Sequence, residues 1–93
     1  MMTKPRLGQC ILVTWVDIHT DHSWAAPGTP LGIASCQTVG FVTTMDDESI
    51  TLAACTGTAC GAATEQEVNL RMCLPWGCVR AWTPLKLGKA VWP

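Results

Sequence analysis

Ninety-three residues suffice for one compact domain, since domains run from about 50 to 250 residues. Hydrophobic residues make up 48% of the chain and charged ones 14%, a balance that excludes an intrinsically disordered polyelectrolyte. The formal net charge of -1 argues against a general nucleic-acid binder, which carries an excess of Lys and Arg.

In chain order, Met1 to Arg6 lead into a strand-like pattern and not into the apolar core of an export signal. Cys10 to Ile18 is rich in β-branched and aromatic residues and is expected to form a buried strand. His19 to Gln37 reads as a long irregular loop, with Pro27-Gly28 and Pro30 as turn signals. Thr38–Met45 and Ser49–Ala54 read as two strands of a hairpin, joined by the acidic turn Asp46-Asp47-Glu48. Cys55 to Thr64, a run of Gly, Ala, Thr and Cys, reads as a loop or a loose hairpin end.

From Glu67 the pattern alternates, which predicts Val68, Leu70, Met72 and Leu74 on one face and Asn69, Arg71 and Cys73 on the other. Pro75 should break this strand and Gly77 allow a turn, before a short last strand from Cys78 to Trp82 that Pro84 stops. No stretch has a helical period, and no apolar run approaches the ~20 residues of a membrane helix. The expected organisation is an arm at 1–9, a β-domain at 10–83 and a tail at 84–93, with Val91 and Trp92 as exposed apolar residues. Five strands, a long first loop and a one-turn break before the fifth describe an all-β, five-stranded SH3-like barrel, in which closure would remove unpaired edges.

Two motifs sharpen this expectation. Gly40, Val42, Met45 and Asp46 form one spaced set, and Leu74-Pro75-Trp76-Gly77-Cys78-Val79 forms the second. Together they resemble the Sm-like branch of small β-barrels, with Trp76 in place of that family's arginine and Ile50 in place of its asparagine. Both departures fall on residues that hold RNA bases in the family, so extended nucleic acid is not the expected partner. Trp15-Val16-Asp17, Thr38-Val39-Gly40 and Pro75-Trp76-Gly77-Cys78 also resemble short bacteriophage proteins. That resemblance implies a protein of the host cytoplasm, with a host defence as its expected target.

Three sets of residues are chemically suggestive. Asp17, His19, Asp21 and His22 offer oxygen and imidazole ligands for a metal, in faint likeness to the histidine signature of metallo-β-lactamase-type hydrolases. A solvated loop whose Asp and His cap turns is the plainer reading. Trp24 and Trp76 fall in loops that neighbour one another in SH3-like barrels, where a flat aromatic would stack a nucleobase or hold a proline-rich peptide. Trp15 and Trp82 are expected in the core. Arg71 and Arg80 flank Trp76, and their guanidinium groups would suit a small phosphate or carboxylate.

The six cysteines offer the weak zinc spacing Cys55-x4-Cys60 and Cys73-x4-Cys78, but read more simply as small buried hydrophobes. No nucleophile–base pair stands out, and Gly57 to Gly61 lacks the Lys-Ser/Thr of a phosphate-binding loop. The leading expectation is a cytoplasmic, non-enzymatic homo-oligomer without a cofactor or a membrane partner. It would capture a small anionic, nucleotide-like ligand through Trp24, Arg71, Trp76, Arg80, His19 and His22. Binding of a host or virion protein is the alternative, and metal-dependent chemistry in the first loop the third.

Overall fold

A computed structural model describes residues 3–58 and 66–89. It contains five antiparallel strands in one sheet: β1 (Cys10–Asp17), β2 (Ala34–Met45), β3 (Ser49–Thr58), β4 (Gln66–Pro75) and β5 (Val79–Pro84). A 3-10 turn, Trp76–Cys78, joins β4 to β5. Among the described residues there is no α-helix, and so no helix long and apolar enough to cross a membrane. The strand order is β4-β3-β2-β1-β5.

That order places β4 and β5 at opposite edges, although only the three-residue turn separates them in sequence. The sheet must therefore curl until its edges approach at that end. The described parts of β4 and β5 do not pair, however, and the sheet stays open. The expected full closure is thus not formed by hydrogen bonding.

The core lies on the concave face. Ile11 and Val13 of β1, Val42 of β2, Ile50 and Leu52 of β3, Leu74 of β4 and Val79 of β5 are buried together. Each buried side chain of this size contributes roughly 1.5–3 kcal/mol of hydrophobic stabilisation. Register explains how they meet: Val42 opposes Leu52, and Ile50 opposes both Met45 and Leu74. Trp15, Met45, Trp76 and Trp82 are half-buried around this cluster, so Trp15 and Trp82 stand at its rim and not at its centre. On the concave face, the Trp15 Nε1 donates to Thr38 Oγ1 at 3.0 Å, and the Thr38 hydroxyl reaches Met72 Sδ at 3.7 Å.

The motif residues all have structural tasks. Gly40 is buried where a Cβ would stand 3.1 Å from both the Ala53 carbonyl oxygen and Leu52 Cβ. Val42 is core, Met45 rims it, and Asp46 caps the β2–β3 turn. The Asp46 Oδ1 accepts the backbone N–H groups of Glu48 and Ser49, each at 2.8 Å. Those two bonds, Glu48 first, hold its carboxyl below the ordinary carboxylate range.

Several expectations need correction. The first loop is shorter, because β2 begins at Ala34 and pairs from there with Asp17. β3 runs on to Thr58, so Cys55 to Thr58 are strand; the rest of that expected loop lies outside the described residues. β2 pairs with β3 only through Ala53, after which β3 pairs with β4 alone. The hairpin beyond Ala53 therefore leaves the body as a two-stranded ribbon. That departure is why Val68 and Leu70 are exposed although Leu74 is buried, whereas Met72, opposite Leu52, lies where the sheet is still three-stranded.

The cysteines are not core residues either. Cys10, Cys36 and Cys78 are half-buried, Cys55 and Cys73 are exposed, and all five carry free thiols. Val91 and Trp92 of the tail, like Cys60, lie outside the described residues.

Candidate functional site

The sequence-predicted site residues occupy separate surroundings. Trp24 is 103% exposed, so it packs against nothing, Trp76 included. His19 and His22 lie in the exposed segment between β1 and β2. Asp17 turns its carboxylate to the Ile18 N–H at 2.8 Å, and Asp21 accepts from the backbone and hydroxyl of Ser23. The Ser23 backbone bond, then its hydroxyl, lowers the Asp21 carboxyl below its ordinary value. These acids cap their own turns, and among the described residues no group of three His, Cys, Asp or Glu side chains is placed to hold a metal.

The thiol pattern fares no better as a zinc site. Cys55 opposes Asn69, four residues before Cys73 on β4, so the two sulfur positions are about 13 Å apart along the ladder. One ion cannot span that. Cys73 instead sits opposite Thr51, and the hydroxyls of Thr51 and then Ser49 hold its thiol below the ordinary cysteine value.

Arg71 and Arg80 sit on the two outer strands. Arg71 opposes Ala53 on β4 and is exposed. Arg80 is the extra residue of a bulge in β5, since Ala81 opposes Thr14 and Val79 opposes Trp15. Its Nη1 donates to the Gly77 carbonyl at 2.9 Å, which holds the guanidinium against the 3-10 turn. Within one chain, then, Arg71 and Arg80 belong to opposite edges of the sheet.

Trp76 is the best-fixed aromatic. Its backbone N–H donates to Glu48 O at 2.9 Å, and its Nε1 donates to Asp46 O at 2.7 Å. The acidic β2–β3 turn therefore clamps the indole and leaves a ring face for Lys4, whose Nζ lies 5.8 Å from the ring centroid. Lys4 also pairs with Asp47 at 3.1 Å. Negative charge surrounds this indole, which suits a cation better than an anion.

Two further surfaces were not legible as sites. One is a cleft of about 460 Å³ at the fork where β3 leaves β2, lined by Phe41, Thr43, Thr56, Gln66 and Val68 beside Gly8. It carries no charged side chain, and nothing marks those residues apart from ordinary strand positions. The other is the β4 edge. Leu70 there is 70% exposed and has φ 54°, a left-handed conformation that a leucine adopts only under strain. Asn69 Oδ1 accepts the Leu70 N–H at 2.7 Å, holding the kink in place. No family model, no curated protein and no solved structure matches this chain.

Proposed function

We propose that the chain is a non-enzymatic binding module that assembles with copies of itself through its open sheet edges and captures a small anionic, nucleotide-like ligand at the seam. The observation that carries this reading is the two outer strands, each with one edge that pairs with nothing among the described residues and each bearing an exposed arginine. A free edge is a row of unsatisfied backbone groups that readily adds a strand. Pairing β4 of one copy with β5 of the next would bring Arg71 and Arg80 to one interface and give an anion the two guanidinium groups that a single chain keeps apart.

Leu70 supports the same reading. It is strained and exposed, so within one chain it adds little to stability, whereas an interface would bury it. A small Sm-like or SH3-like barrel is the fold we assign to the curled sheet, its edges joined at one end by the 3-10 turn. Following the resemblance to short phage proteins, such an assembly is proposed to work in the cytoplasm of an infected host, where sequestering a nucleotide signal would blunt a defence.

Native mass spectrometry with a nucleotide panel tests the proposal. The expected result is an oligomer that retains a nucleotide and loses it on Arg71→Ala. A monomer that retains none would overturn the reading. A second reading, the binding of another protein, is favoured by the exposed row Val68, Leu70 and Met72 along β4, which suits an added strand. Capture of a protein partner that survives Arg71→Ala but is lost on Leu70→Lys would select it.

A further inference from the structure

The segment ahead of β1 crosses two tryptophans in three residues. The Thr3 carbonyl accepts from the Trp82 Nε1, Lys4 lies over the Trp76 ring and pairs with Asp47, and Pro5 is buried. Three extended residues span at most about 10 Å, so this short segment bridges Trp82 and Trp76, and the surface it lies on between the two indoles is the groove it occupies. The neighbours of Pro5 on both sides are exposed, which makes the proline ring the anchor. Each contact reads a feature of an extended peptide: an indole N–H reads a carbonyl, a carboxylate and a ring face read a cation, and a recess reads a proline.

We infer that this groove is a docking site for an extended segment carrying a cation followed by proline, and that the chain's own Thr3-Lys4-Pro5 is its resident occupant. Apart from the buried Pro5, the resident is held by exposed polar contacts. Lys4 and Asp47 are exposed, where an ion pair is weak and screened by salt. Such a contact opens locally without unfolding the sheet. A tethered segment competes at an effective concentration near millimolar, so a partner reaches the groove when it is abundant or when the tether contact is weakened. This site is separate from the proposed seam at Arg71 and Arg80, and it prefers the opposite charge.

The test uses the full chain and a blocked Thr-Lys-Pro-Arg peptide as the probe. In a Lys4→Ala variant the peptide should shift the indole N–H resonances of Trp76 and Trp82, at about tenfold lower concentration than in the unaltered chain. Adding Asp47→Lys should abolish the shift, and a Thr-Glu-Pro-Arg peptide should give none. Absence of any shift, or equal response to the acidic peptide or to a nucleotide, would overturn the inference. Hydrogen exchange provides a check that needs no variant. The Trp82 indole N–H should exchange much faster than the Val13 amide, and exchange of both only by global unfolding would overturn the inference too.

Discussion

Replacing Gly40 by alanine adds one methyl group at the tightest backbone approach in the sheet. The new Cβ would stand 3.1 Å from the Ala53 carbonyl oxygen and 3.1 Å from Leu52 Cβ. Neither neighbour yields easily. Ala53 is fully buried and in register with Phe41, and Leu52 is buried against Val42. The strands must therefore separate by a few tenths of an ångström, and overpacking of this kind costs about 1–3 kcal/mol.

For a domain of this size each kcal/mol lowers the midpoint by about 4–8 °C, so thermal unfolding followed by tryptophan fluorescence resolves the effect. Gly57→Ala is the matched control, because nothing lies within 4 Å of its Cβ position. It should be neutral, or stabilising by up to about 1 kcal/mol. Equal midpoints for Gly40→Ala and the Gly57→Ala control, which shares the intrinsic gain of replacing glycine, would refute the packing of β2 on β3 described here.

Trp24→Ala should leave stability unchanged, because the side chain touches nothing, while Trp76→Ala should cost roughly 2–3 kcal/mol, below the about 3–5 of a fully buried tryptophan; urea titration separates them. Asp46 has a folded-state pKa depressed below the ordinary 3.8, so its contribution is complete above that value and is lost as pH falls through the lower folded one. Acid titration of stability should therefore show a steeper loss for the unaltered chain than for Asp46→Asn, whose amide oxygen keeps accepting the turn N–H groups without titrating. Leu70→Asn should raise the stability of dilute protein by about 1 kcal/mol, since asparagine tolerates the left-handed conformation, and should weaken self-association in sedimentation experiments.

Local pattern was enough to read β1, the start of β3 and the Asp46-Asp47-Glu48 turn, because β-branched runs and Asx chemistry act within a few residues. The first half of β2 escaped notice. Ala34-Ser35-Cys36-Gln37 has little strand propensity and is strand because Thr14 to Asp17 pair with it. Alternation also identified β4 as a strand, yet it could not show that β3 parts from β2 after Ala53, which is what exposes Val68 and Leu70.

The site was less legible for the same reason. Trp24 and Trp76 are alike in composition, but only Trp76 has the Asp46 and Glu48 carbonyls to fix it. Lys4 meets Asp47 across 43 positions of sequence, and no local signal announces such a contact. Arg71 and Arg80 flank the turn in sequence, whereas the strand order sends them to opposite edges.

The proposed self-assembly through the edges of the open sheet is tested most directly by the mass of the chain in solution, measured by sedimentation from micromolar to near-millimolar concentration. The account predicts species heavier than one chain that become lighter on Leu70→Lys. A single species of monomer mass across the whole range, for the unaltered chain and the variant alike, would contradict it.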